Sequence, residues 1–223
     1  MQHGSLIGSV GNEAGPGENF RYAYDAIKAF DTSRPVQYER DEESKIVDFF
    51  SNQYPAVDWV RQACQGNVKI KYPMHISEYA HSMGNALGNL VDYWEAIESS
   101  NYCMGGAIWD WVDQAILAYD PATKKSYNGY GGDFRDKPND GMFCMNGIMR
   151  PDHSAKPQYY EVKKVYQNVG VTMADAATAT IEIFNKNYFT DLSAYDIYWN
   201  LWKNGEVVKG GRACFNLEES LGS

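Results

Sequence analysis

Two glutamates, Glu13 and Glu78, each close a short apolar run that then breaks into a turn. Ser5-Leu-Ile-Gly-Ser-Val-Gly-Asn-Glu13 is followed by Ala-Gly-Pro-Gly, and Tyr72-Pro-Met-His-Ile-Ser-Glu78 by Tyr-Ala-His-Ser-Met-Gly-Asn85. A strand interior disfavours an unpaired carboxylate, because desolvating it costs several kcal/mol unless partners or water compensate. An acid at a strand end therefore sits either at a solvated rim, paired with a nearby Lys or Arg, or in a site. Two such acids surrounded by Asn, Tyr, His and Trp fit paired-carboxylate chemistry. In glycoside hydrolysis one acid protonates the leaving oxygen while a second carboxylate meets the oxocarbenium-like centre.

The elements that would position these acids alternate. Phe20, Ala23, Tyr24, Ile27 and Phe30 recur at helical spacing over about 18–30, and Asp31-Thr-Ser-Arg-Pro35 ends that helix. Val36-Gln-Tyr-Glu39 and the run from Ile46 to Tyr54 read as strands, with only Arg40 to Lys45 between them. That is short for a parallel crossover, so either the helix there is reduced or one strand is misplaced. Pro55 suits a first helical position before a short helix over 56–63. A strand over about 68–77 leads to Glu78, Asn85 is placed to cap a helix running to about Ile97, and Cys103 to Val112 is a buried strand ending in Trp109 and Asp110. Such alternation predicts a parallel sheet with polar residues gathered at the C-terminal ends of its strands, where ligands bind in these folds.

Asp113 to Pro157 is rich in Gly, Asp, Asn and Pro with interspersed Tyr127, Tyr130 and Phe134, and reads as an ordered, site-covering loop. A short helix over about 158–166 closes the unit. After Gly170 the period becomes two in Ala179–Phe184 and Tyr195–Trp202, and Lys203-Asn-Gly-Glu206 makes an Asn-Gly hairpin turn into Val207-Val208. This is the opening of an antiparallel β-sandwich.

A net charge of −9 and a pI near 4.9 leave no basic stripe to engage phosphates, which argues against a nucleic-acid or anionic-membrane partner. The 17 Tyr and 6 Trp exceed what a core needs and lean towards a carbohydrate ligand, since sugar rings pack on aromatic faces. Cys64, Cys103, Cys144 and Cys214 lack zinc-like spacing and are expected to be reduced, structural thiols. No run of 18 apolar residues exists and the N-terminus shows no targeting pattern, so a soluble chain of undetermined compartment is expected.

Ile7-Gly-Ser-Val-Gly-Asn-Glu-Ala-Gly15, His75-Ile-Ser-Glu-Tyr-Ala-His-Ser-Met-Gly-Asn85, Gly105-Gly-Ala-Ile-Trp-Asp-Trp-Val-Asp-Gln114, Tyr130-Gly-Gly-Asp-Phe134, Asn139-Asp140 and Phe143-Cys-Met-Asn-Gly147 resemble glycoside hydrolase family 2 β-galactosidases. The resemblance covers nearly the whole chain after Met1-Gln-His-Gly4. It implies an α/β fold: the C-terminal portion of a TIM (β/α)8 barrel over residues 1–169, followed by a partial antiparallel β-sandwich over 170–223. Residue by residue, Glu13 matches the general acid/base and, in magnesium-dependent members, a ligand of that metal. Asn12 matches a contact to the sugar's 2-hydroxyl, and Glu78 the nucleophile of a retaining double displacement, with the two carboxylates on the order of 5 Å apart. Tyr54 resembles a tyrosine that assists departure of the nucleophile, although Gln53-Tyr54-Pro55 departs from the commoner Met-Tyr version. His81 resembles a sugar-hydroxyl contact and Trp109 the wall of the galactose pocket. Phe143, through its carbonyl, and Asn146, through its side chain, resemble a sodium site that holds the 6-hydroxyl. Asp110 and Asp113 read as loop-fixing acceptors, while His3, His75 and His153 carry no assigned role.

The implied substrate is a β-galactoside or lactose-like sugar, with magnesium and sodium as cofactors and the remaining magnesium ligands outside this chain. About five strands are countable, against the eight of a closed barrel. Exposed strand edges then imply self-association or pairing with the missing half of the enzyme. Competing readings are a catalytically incomplete sugar-binding or assembly fragment, and another family 2 specificity such as β-glucuronidase.

Overall fold

The computed structural model of the chain describes residues 6–42 and 45–213. His3, the start of the first apolar run at Ser5, and Cys214 lie outside the described residues. The chain divides into two compact units, Met1–Val165 and Tyr166–Ser223.

In the first unit, β1 (Gly8–Ser9) pairs in parallel with β2 (Val36–Gln37), and α1 (Glu18–Phe30) connects them. The expected apolar face of α1 is only partly used. Phe20 stacks on Tyr38 at 4.2 Å between ring centroids, whereas Phe30 is 90% exposed. Asp48 fastens α1 to β2: its carboxylate accepts from the Tyr24 hydroxyl at 2.7 Å, Lys28 Nζ at 3.2 Å and the Val36 amide at 2.8 Å. The hydrogen bond to Asp48 is the main reason the Tyr24 hydroxyl is pushed up to about 12.

β3 (Ser51–Gln53), β4 (Met74–Tyr79) and β5 (Cys103–Ile108) form a three-stranded parallel sheet, with α2 (Val57–Cys64) and α3 (Leu90–Glu98) as its crossovers. Several boundaries differ from the sequence expectation. The strand expected from Ile46 starts only at Ser51, and no helix occupies the described residues 40–42 or 45–50 of the short connection. Val68 to Pro73 precede β4 instead of belonging to it, since Pro73 has no N–H to give a neighbouring strand. Pro55 stands two residues before α2, not at its first position. Asn85 does not cap α3; the residue at that boundary is Asn89, with left-handed backbone (φ 61). The core is built by Val60, Met74, Ile76, Tyr79 and Leu90, all at most 1% exposed.

The expectation of four free thiols is corrected for two of them. Cys64 at the end of α2 and Cys103 at the start of β5 are disulfide-bonded, with their Cα atoms 5.7 Å apart, inside the range a disulfide spans. Thirty-nine positions separate them in sequence, so the fold and not their spacing brings them together. Cys144 is free.

The long loop after β5 contains structure that was not expected. β6 (Ile116–Asp120) and β7 (Lys125–Gly129) form an antiparallel hairpin whose turn is tied by Asp120, which accepts from the Ala122 amide at 2.9 Å and the Thr123 hydroxyl at 2.6 Å. A 3-10 turn (Gly131–Phe134) follows, and α4 (Pro157–Val165) closes the unit. In the second unit, β8 (Val169–Asp175) pairs with β9 (Thr180–Asn185), and β10 (Ile197–Lys203) with β11 (Glu206–Ala213) around the expected Asn-Gly turn, both antiparallel. The described strands close neither a barrel nor a sandwich.

Candidate active site

The site residues gather where β3, β4 and β5 end. Gln53 lies in register with Glu78, the Tyr54 amide donates to the Glu78 carbonyl at 2.8 Å, and the Trp109 amide donates to the Tyr79 carbonyl at 2.9 Å. Three strands side by side thus deliver Tyr54, Glu78 and Trp109 to one edge, as expected for a parallel sheet. Gly106 permits this closeness, because a Cβ there would come within 3.0 Å of the Ile76 side chain and 3.1 Å of the Ile76 carbonyl.

The segment after β1 joins them through one side chain. Gln53 Nε2 donates to Asn12 Oδ1 at 2.9 Å and to Glu78 Oε1 at 2.8 Å. Glu13 follows directly. Its amide donates to the buried carboxylate of Glu39 at 2.6 Å, and its own carboxylate, about half exposed, lies 3.4 Å from Arg40. A pair so open to solvent is worth at most about 1 kcal/mol and restrains Glu13 little.

Tyr54 reports the field of the cluster. Desolvation raises its hydroxyl pKa well above the usual value, and the Glu78 charge, a hydrogen bond to Glu78, and the charges of Glu13 and Asp110 raise it further. The hydroxyl therefore remains a protonated donor throughout the neutral range. Three of the segments entering the site, those after β1, β3 and β4, also carry a non-glycine residue with left-handed backbone: Glu13 at φ 48, Tyr54 at φ 47 and Ala80 at φ 61. Such residues cost free energy that the surrounding structure must offset, and they cluster at functional sites.

The turn after β4 brings in the remaining candidates. His81 packs edge-on to Tyr54 at 6.2 Å and against Phe143 at 5.3 Å between ring centroids. The Asn146 carbonyl accepts from the Ser82 amide at 3.0 Å and the Asp110 amide at 3.2 Å, locking the 143–147 segment onto the ends of β4 and β5. His81 Nε2 and Asn146 Oδ1 are buried polar atoms without a hydrogen-bond partner among the described residues, and such atoms call for one. Trp109 is 38% exposed at the rim.

Asp113 and Lys156 hold this arrangement from behind. Asp113 Oδ1 accepts from Lys156 Nζ at 2.9 Å and from the Gly147 amide at 2.9 Å, and Lys156 also donates to the carbonyls of Ser82 and Met145, each at 3.3 Å. A Cβ on Gly147 would fall 2.2 Å from the Asp113 amide nitrogen, so only glycine allows this approach. Asp110 fixes its own loop through the Trp111 amide and Gln114. Both aspartates are thus the loop-fixing acceptors that were expected. Sequence reasoning did not assign Gln53, Glu39 or Lys156. Glu39 was visible as a strand-end acid, whereas a lone Gln or Lys in a polar stretch carries no signal of its partners.

The two implied cations fare differently. Asn146 Oδ1, an oxygen without a partner among the described residues and three positions from Phe143, suits a hard cation such as sodium, though two oxygens are only part of a shell. Of the magnesium shell, the resemblance places only Glu13 in this chain. Among the described residues no three His, Cys, Asp or Glu side chains come together, and Glu13 has Arg40 as its neighbour.

Residues 2–171 match the glycosyl hydrolases family 2, TIM barrel domain. The chain belongs to this family. It is 42% identical over 217 residues to a β-galactosidase of Priestia megaterium, an alignment covering 95% of this chain and 20% of that protein. It is 35% identical over 229 residues to a β-galactosidase of Pseudoalteromonas haloplanktis, covering 95% of this chain and 22% of that protein. The chain thus spans about a fifth of the length of these family 2 relatives. Among solved structures, a family 2 β-galacturonidase of Eisenbergiella tayi superposes with a TM-score of 0.47 at 19% identity, over 74% of this chain and 34% of that one. No helix among the described residues is long and apolar enough to cross a membrane.

Proposed function

We propose that this chain carries the catalytic glutamates of a retaining glycoside hydrolase that removes terminal β-D-galactosyl residues from β-galactosides. The observation that carries the reading is the convergence on Glu78: Gln53 ties its carboxylate to Asn12, which precedes Glu13, and the Tyr54 amide donates to its carbonyl. Glu78 attacks the anomeric carbon while Glu13 gives its proton to the departing oxygen; Glu13 then takes a proton from the water that releases the sugar. Asn12 meets the 2-hydroxyl, His81 another hydroxyl, and Trp109 walls the ring. Tyr54, held protonated, donates to the Glu78 carboxylate as it leaves the sugar. Asn146 and the Phe143 carbonyl would hold sodium, which would orient the 6-hydroxyl. Glu13 would also be the ligand that this chain offers to magnesium.

Residues 1–169 are proposed as the C-terminal portion of a TIM barrel and 170–223 as the start of a β-sandwich. The alternation of β3, α2, β4, α3 and β5 and the family match support the first, and the hairpins β8/β9 and β10/β11 the second. The open edges imply association with a second copy or with a polypeptide bearing the other barrel strands.

The test is nitrophenyl-galactoside hydrolysis by this chain, alone and grafted in place of the aligned segment of the Priestia megaterium relative. Glu78→Gln is expected to lower kcat by roughly 10³-fold or more. Undiminished turnover in that variant would sink the reading. A second reading is a sugar-binding fragment without turnover, since the chain spans about a fifth of the length of its family 2 relatives. Galactose binding with no hydrolysis in either form would select it.

A further inference from the structure

Gln53 sits at the end of β3, where the register against β4 shifts between Asn52 and Gln53. Its carboxamide nitrogen bridges Asn12 Oδ1 at 2.9 Å and Glu78 Oε1 at 2.8 Å. An amide NH₂ has two hydrogens, so both bonds form at once, and the one to an ionised carboxylate is the stronger. Asn12 and Glu78 are 66 positions apart and reach the site on different elements. Gln53 links them directly.

We propose that Gln53 is a positioning residue, fixing the attacking carboxylate of Glu78 relative to Asn12 so that both meet the sugar in one geometry. The proposal rests on the reading of Glu78 as nucleophile. Leucine, close to glutamine in size, fills position 53 but donates no hydrogen bond. Glutamate keeps the shape and places a second carboxylate against Glu78, where two like charges cannot both ionise freely.

In the grafted enzyme, Gln53→Leu is expected to lower kcat by roughly 10–100-fold with KM changed by less than about 3-fold, the range found when a group that orients a reacting side chain is removed. Gln53→Glu is expected to move the acid limb of the kcat/KM profile to higher pH, a response that loss of packing alone does not produce. If both variants keep kcat within about twofold and an unchanged pH profile while Glu78→Gln is inactive, the positioning role is overturned and the nucleophile stands. If Glu78→Gln stays active, it is the nucleophile assignment that fails. A second measurement needs no turnover: in the 223-residue chain, the Gln53 side-chain amide resonances are expected to move in both Asn12→Ala and Glu78→Gln. Resonances at free-amide positions, unmoved by either substitution, overturn the proposal.

Discussion

The hairpin β6/β7 in the first unit and β8/β9 in the second turn on the same four-residue device. Asp120-Pro-Ala-Thr123 and Asp175-Ala-Ala-Thr178 each let one aspartate accept from an alanine amide and a threonine hydroxyl, at 2.9 and 2.6 Å in the first and 2.8 and 2.7 Å in the second. Hydrogen bonding to the threonine, then to the alanine amide, lowers the pKa of both carboxyls. Yet the units around them differ. In the first, α2 and α3 cover one face of β3, β4 and β5, Met74 and Ile76 are fully buried, and chain ends meet at a polar site. In the second, almost every described strand residue is exposed, including Phe184, Leu201 and Trp202. Local turn chemistry sets the hairpins, whereas burial depends on having a second layer to pack against.

Substitutions can break or sharpen that contrast. The largest effect expected outside the reacting groups is at Lys156, whose removal leaves the Asp113 side chain, fully buried, without its cation. Lys156→Met should lose about 3–5 kcal/mol in urea unfolding, the usual cost of an orphaned buried charge. Cys103→Ser should lose about 2–4 kcal/mol, since the bond to Cys64 closes a loop with a sequence separation of 39. The same transition under reducing and oxidising conditions checks it.

A smaller effect is pH-dependent. Burial lowers the pKa of His75, so the folded protein keeps that ring neutral where the unfolded chain, titrating near its ordinary ~6.5, already binds a proton. The unfolded state then holds more protons, and stability falls as pH drops below about 6.5, by at most ~1.4 kcal/mol per unit until the folded pKa is reached. Thermal melts between pH 8 and 5 should show this slope, and His75→Phe should flatten it. The smallest effect belongs to the second unit: Phe189→Ser, at a fully exposed side chain, should change stability by less than about 0.5 kcal/mol. A loss of several kcal/mol there would show that the unit buries this face in solution.

How much was legible follows the range of each interaction. The helix over 18–30, the Asn-Gly turn and the strand-end positions of Glu78 and Trp109 were readable, because period and turn chemistry act over a few residues. The late start of β4, the capping position of α3 and the hairpin inside 113–157 were not, because Pro73, left-handed Asn89 and the Asp120 turn override the apolar pattern locally.

By itself, the sequence determined the order of helices and strands as far as β5, the two candidate glutamates and the motifs that mark family 2. Only the tertiary structure decided that Gln53 joins Asn12 to Glu78, that Cys64 meets Cys103, and that Asp113 and Lys156 clamp the 143–147 segment. These are contacts across 25 to 43 positions, or 39 for the cysteines, and residue type alone encodes no partner at such distance. Packing of the parallel strands and their crossovers brings the ends together, and the specific hydrogen bonds form there.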